Sequence, residues 1–556
     1  EWYSDESRKE MTINTADVLD KFIMVNTLTN NPDGKAAMRR TNRYGLDINR
    51  DTVFATQPEA IALTEDIAKW DPIVMLEWHG YVSQMLIEPC TAPHCPNYEP
   101  DLTLNNMIQL AYYGGKALTA STGYNRFLLP WDSMDNGWDD GGNVYGPMFS
   151  MLFGCMGWTI ELPHSNLDSL EAGNAITYAM LNALMYGETA YYDGNVLNRS
   201  IDGKDSHEVD IKYTSLRKES ILNKFEFKRR GVENIDSEAA DKYFIETVGG
   251  VARYVGRVRK DDGQGGKLPF FPDYLVVPSS PEYQFNVAEA LRTVDFTMRY
   301  GAKVLRTTEP VTYNGVTYPA GTYVYDMRQG RRNFIAEIMS KGYDATYFDS
   351  MYADIYCNFP DTRGFDCFEV WSPGLFDGKT EQVVSIEKQS NIVGAPDKYV
   401  VFKSNSTDAV RFVNLLLSGR SSGPSYIDEK KDVWMLRKSV EGVGTMSDYI
   451  IEAENLPLVY ALVDNPDLGL KGCYLEGKYI SELPKEAVKL VEPVISMNST
   501  RNAATAGGAI YWALDDFLGF GCMKDEDGSD YNGNSNNSVR PGANVVLLYN
   551  ATAGAN

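Results

Sequence analysis

Five residues of this 556-residue chain have types and spacings that point to chemistry: Arg40, Asn49, Arg50, His79 and Glu161. A guanidinium grips a carboxylate through two parallel N–H groups, and a primary amide adds a neutral donor. Arg40, Asn49 and Arg50, within Arg39-Arg40-Thr41-Asn42-Arg43-Tyr44-Gly45-Leu46-Asp47-Ile48-Asn49-Arg50, therefore form a candidate carboxylate clamp. His79 closes Glu77-Trp78-His79-Gly80-Tyr81, after the apolar run Pro72 to Leu76. An imidazole there is either a hydrogen-bonded polar residue or a metal donor. Glu161 sits in Gly157-Trp158-Thr159-Ile160-Glu161-Leu162. Burial among such neighbours raises a carboxyl pKa and suits it to carry protons. The alternative is a structural glutamate paired with a buried cation. Glu246, in Tyr243-Phe244-Ile245-Glu246-Thr247-Val248, competes for the same role but follows no buried strand.

These residues need elements to hold them. The pattern predicts a strand from Lys21 to Leu28, a turn at Asn31-Pro32-Asp33-Gly34, and a helix from Gln57 to Trp70 that Pro58 starts. A buried strand, Pro72 to Leu76, follows with His79 at its C-terminal end. In an open α/β sheet the carboxyl ends of strands face the ligand crevice, so Arg40, Asn49, Arg50 and His79 are expected to converge. Further on come a helix from Asn105 to Leu118, a buried strand from Met156 to Pro163 carrying Glu161, and a helix from Leu167 to Glu188. The Gly-, Asp- and Trp-rich segment 131–145, ending in Tyr145, has the composition of a functional loop.

Residues 193–270 are charge-rich and read as a linker or insertion, helical near Ser215 to Lys228 and Ser237 to Val258. A second α/β unit, 271–556, is expected to begin with the strand Tyr274 to Val277 and the helix Gln284 to Tyr300. It continues through a strand at Lys303 to Arg306, a hairpin near Asn314-Gly315, a helix from Arg331 to Lys341, and a strand–helix step at Tyr399 to Leu417. Gly507 to Trp512 and Asn544 to Leu548 complete it as late strands. Alternating strands and helices predict a parallel sheet.

Residues 1–192 resemble the zinc metallocarboxypeptidase family. The resemblance rests on the Asn-Pro-Asp-Gly turn, Arg40 nine residues before Asn49, the run Gly45-Leu46-Asp47-Ile48-Asn49-Arg50, and His79 ending the next strand. It implies a mixed, carboxypeptidase-like sheet flanked by helices and the hydrolysis of C-terminal residues from peptides or peptidoglycan stem peptides. It also implies that Arg40, Asn49 and Arg50 hold the terminal carboxylate, that His79 is a zinc ligand, and that Glu161 is the general base. Tyr145 would be the tyrosine that closes the pocket and Tyr81 a subsite residue. The family's His-x-x-Glu pair has no match at His94, His164 or His207. The expectation is that this pair and the first strands precede Glu1, on an upstream segment or a separate chain. The alternative is a metal-free, carboxypeptidase-like surface or assembly protein.

Composition limits the partners. A net charge of −24 argues against nucleic-acid binding, which requires a basic face, and favours cationic peptides. No apolar run reaches the length of a membrane helix. Among the 7 cysteines, the close pairs Cys90/Cys95 and Cys357/Cys367 suggest small disulfide loops and a secreted or cell-surface setting.

Overall fold

The structure, a computed structural model, describes residues 2–3, 12–81, 85–90, 97–129, 143–191, 212–236, 245–248, 251–254, 264–266, 268–340, 358–386, 390–419, 429–458, 474–497, 505–520 and 542–547. It is a mixed α/β protein with several sheets. The first sheet holds β1 (Trp2–Tyr3), β2 (Val74–Gly80), β3 (Leu86–Glu88), β4 (Phe127–Leu128) and β5 (Met156–Leu162). Their spatial order is β1-β4-β3-β5-β2, which puts β2 at the edge. β2 runs parallel to β5 over its whole length, whereas β3 is antiparallel to β5 and parallel to β4.

Six helices accompany this sheet: α1 (Thr15–Lys21), α2 (Pro32–Ala37), α3 (Pro58–Trp70), α4 (Leu104–Ser121), α5 (Gly146–Met151) and α6 (Leu167–Tyr186). In α3, Pro58 fills the first turn, where no N–H is needed, and Ala60, Leu63, Thr64 and Ile67 bury one face at helical spacing. Asn166 starts α6 by accepting from Ser169 N at 2.9 Å. A Cβ on Gly115 of α4 would lie 2.1 Å from the Phe127 ring, so only glycine lets α4 lie that close to β4. β5 buries Met156 through Ile160 without a break; each large side chain there contributes about 1.5–3 kcal/mol.

The second sheet is antiparallel, in the order Phe368–Val370, Tyr274–Val277, Tyr323–Asp326, Leu305–Thr307, Thr380–Gln382. The expected parallel sheet does not form here; among the described residues of the second unit, parallel pairing joins Asn391–Val393 to Glu476–Ile480 and Ile495–Met497 to Val545–Leu547. Leu305–Thr307 and Tyr323–Asp326 are joined by the hairpin Val311–Tyr313/Val316–Tyr318, with no crossover helix to turn the chain back. A third sheet of six strands, from Asn391–Val393 to Ala487–Lys489, packs with the helix Thr407–Ser418.

One core joins the first sheet to the second unit. Phe149 and Phe153 meet Phe334 at centroid distances of 5.9 and 5.3 Å, and Tyr300 lies 5.6 Å from Phe334. The Tyr300 hydroxyl pairs with Thr64 Oγ1 of α3 at 2.9 Å. Beside these rings lies a buried polar knot. Arg332, fully buried, pairs with Glu99 and donates to the carbonyls of Arg230 and Ile235 at 3.0 and 2.8 Å. Glu337 accepts from Asn97 at 2.7 Å and also from Asn143. Within the expected linker, residues Leu216–Glu233 form a helix whose Arg230 reaches Asp101 at 2.8 Å.

Several local expectations give way. Residues 22–27 form no strand; a β-prone run needs a ladder partner, and Ile23 and Leu28 stay exposed at 80% and 91%. Asn31-Pro32-Asp33-Gly34 opens α2, with Asn31 accepting from Gly34 N at 2.9 Å, because Asn and then Pro also make a helix start. The expected helix over Ser237 to Val258 is instead the strand pair Ile245–Val248/Val251–Tyr254, two β-prone runs separated in sequence by Gly249-Gly250. Residues Thr505–Tyr511 are helical, where a strand was expected at Gly507 to Trp512. Cys90 is a buried free thiol donating to Ile87 O at 3.5 Å, in place of the expected disulfide to Cys95, which lies outside the described residues, as does Cys357. Among the described residues no helix is long and apolar enough to cross a membrane.

The knot has a measurable consequence. Arg332→Leu takes from buried Glu99 its nearer cation, leaving only the 3.4 Å pair to Arg230, and is expected to cost about 3–5 kcal/mol. Arg306→Ala removes a pair whose side chains are 50% and 52% exposed, and should cost under about 1 kcal/mol. Urea unfolding of both variants beside the wild type measures the contrast.

Candidate functional site

The site begins with the register of β2 on β5. Their parallel pairing sets Glu77 opposite Thr159 and His79 opposite Glu161. Because side chains alternate along a strand, Glu77 and His79 share one face of β2, and Thr159 and Glu161 share the matching face of β5. Glu161 follows the buried part of β5 and is itself half-buried. Burial pushes its carboxyl above the usual range, against the opposing pull of His79 and Arg40. His79 and Arg40 thus both lie within electrostatic reach of Glu161.

His79 is held by a group the sequence reading passed over. Its Nε2 lies 2.9 Å from Glu77 Oε2, and Glu77 Oε1 accepts from Asn30 Nδ2 at 2.6 Å. The signal was present in the strand period: a carboxylate two residues before a strand histidine must lie on its face.

The cationic loop is built on Asn42, also missed. This fully buried amide accepts from Tyr44 N and Leu46 N, both at 3.0 Å, and donates to Gln57 Oε1 at 2.9 Å. Arg40 Nε pairs with Asp47 Oδ2 at 2.8 Å while its side chain remains 58% exposed. Asp47 also caps the short 3₁₀ turn Ile48–Arg50 by accepting from Asn49 N at 3.1 Å. Gly508, from the helix Thr505–Tyr511, presses on this loop from behind: a Cβ there would lie 1.9 Å from the Gly45 carbonyl oxygen.

Arg50 and Tyr145 form a pair of their own, the guanidinium 4.9 Å from the ring centroid. Tyr145 is buried, and closing over a pocket would require that ring to leave the core. Tyr81 follows β2 with its side chain 62% exposed. His164 is exposed; His94 and His207 lie outside the described residues, as does the side chain of Glu246.

A catalytic zinc takes three protein ligands and a water. Among the described residues no group of three His, Cys, Asp or Glu side chains comes together to hold a metal ion. His79 supplies one imidazole, so the described residues do not by themselves fit that metal. Comparison with protein-family models, with curated proteins and with solved structures finds no match to this chain.

Next to Arg50, Asp51 fixes the start of α3, accepting from Thr56 N at 3.0 Å, Thr56 Oγ1 at 2.8 Å and Gln57 N at 2.8 Å. Burial outweighs these donors and pushes its carboxyl from 3.8 up to about 7. With the folded pKa above the unfolded one, its contribution to stability is full below the unfolded pKa and is lost as pH rises through the folded one, about 7. Asp51→Asn is therefore expected to flatten the fall in stability across that window. Urea midpoints of variant and wild type at several pH values check this.

Proposed function

We propose that the residues gathered at the C-terminal ends of β2 and β5 form a carboxypeptidase-type site that removes C-terminal residues from peptides or peptidoglycan stem peptides. The observation that carries the reading is the register that pairs His79 with Glu161, with Arg40 near enough to act on the same carboxyl. Arg40, Asn49 and Arg50 bind the free carboxylate and so restrict attack to the last bond. Glu161, its proton affinity raised by burial, takes a proton from the attacking water and gives it to the departing amine. The resemblance to zinc carboxypeptidases assigns His79 to zinc; on this reading the remaining ligands come from outside the described residues. Cationic peptide substrates accord with the net charge of −24.

A second reading is a carboxypeptidase-like binding protein without turnover. The engagement of His79 Nε2 by Glu77 and the lack of a three-ligand group among the described residues favour it. Hydrolysis of a C-terminal peptide bond, measured with and without added zinc, separates the two. Binding without cleavage under both conditions selects the second.

Under the first reading, Glu161→Gln should lower turnover by about a hundred- to ten-thousand-fold while peptide affinity holds, and Glu246→Gln should leave turnover unchanged. The reverse pattern would transfer the base to Glu246. Under either reading, Arg50→Ala should weaken peptides with a free C terminus by about 1.5–3 kcal/mol and spare their amides. Equal loss for both peptide types, read by calorimetry, would remove the clamp.

A further inference from the structure

We infer that Glu77 is a positioning residue that fixes the tautomer of His79, and that Asn30 holds Glu77 in place to do so. The inference deepens the proposed role of the β2–β5 site and rests on that reading for its significance.

The geometry is local. Glu77 and His79 lie on one face of β2, two residues apart, and Glu77 Oε2 is 2.9 Å from His79 Nε2. Glu77 is buried, and its second oxygen accepts from Asn30 Nδ2 at 2.6 Å. The start of α5 closes the space around it: a Cβ on Gly146 would lie 3.0 Å from Glu77 Oε1 and 3.2 Å from Leu63 Cδ2. The carboxylate is thus held on both oxygens and has little room to turn. An ionised carboxylate only accepts, so the imidazole nitrogen facing it is the one that carries the proton. With the proton on Nε2, the neutral ring carries its lone pair on Nδ1, the nitrogen that serves as acceptor in that tautomer.

Asn30 extends the device beyond the sheet. It directly precedes Asn31, which caps α2, and Asn31 Nδ2 donates to the carbonyl of Arg40 at 2.8 Å. Adjacent asparagines therefore hold the histidine's partner and the backbone of the clamp arginine. One short segment positions both halves of the site.

The test reads the proton directly, on the full chain with no peptide or metal added. The chain has only 4 histidines, so 15N-histidine labelling with His79→Gln for assignment isolates the relevant ring. Long-range proton–nitrogen spectra are taken well above the ordinary histidine pKa of about 6.5. The Nε2–H form of His79 should exceed the Nδ1–H form by about tenfold more than in the same chain unfolded in urea, because a charge-assisted bond discriminates by that much. Glu77→Gln, whose amide oxygen still accepts, should retain most of the excess; Glu77→Leu should lose it, and Asn30→Ala should lose part. A wild-type ratio no greater than in the unfolded chain would overturn the inference without recourse to any variant. So would a full excess in Glu77→Leu, and a full excess in Asn30→Ala would remove Asn30 from it. Failure of peptide binding or cleavage would count against the proposed function and leave this ratio unchanged, so the two failures are distinguishable.

Discussion

The parallel pairing of β2 with β5 is the constraint on which the site depends. Side chains alternate with a period of two, so a one-residue slip would send His79 to the opposite face while Glu161 stayed where it is. The register is held because β5 is buried from Met156 through Ile160 and cannot slide without exposing Trp158 and Ile160. Among the described strands β2 is the edge of its sheet, with β5 as its ladder partner. Its alignment is therefore borrowed from β5, and the polar tie from Asn30 to Glu77 adds a second fixed point.

The same sheet is stiffened from below by a core that the second unit helps to build. Phe149 and Phe153 follow the start of α5 and pack on Phe334, while Thr64 of α3 bonds Tyr300. Burial pushes the Glu99 carboxyl up, and Arg332 and Arg230 hold it back, so the knot keeps its charge only while all its members are in place. A buried pair of this kind adds little net stability, but breaking it is costly, which favours one arrangement of the two units over others.

How much of this was legible in the sequence depended on how local the cause was. α3, α4, α6 and β5 follow from apolar period and capping residues, and their observed bounds lie within a few residues of those expected. Residues 22–28 have strand composition but no partner, and pairing is a property of two segments that one segment does not reveal. The antiparallel direction of the second sheet was hidden for the same reason. Among the site residues, His79, Glu161 and Arg40 were marked by type and spacing. Asn42 and Asn30 were not, since an amide shows its importance only through the groups it meets in three dimensions.

Gly508 gives the loop of Arg40 and Arg50 a wall made from a helix far along the chain. The loop residues are therefore translated long before the glycine that backs them. A chain interrupted before Thr505 would hold every charged group of the loop and lack the surface that lies against Gly45. Translation through Thr505–Tyr511 is, in this architecture, the step that backs the loop: a molecule cut before that helix carries the loop's charged groups without the wall behind Gly45.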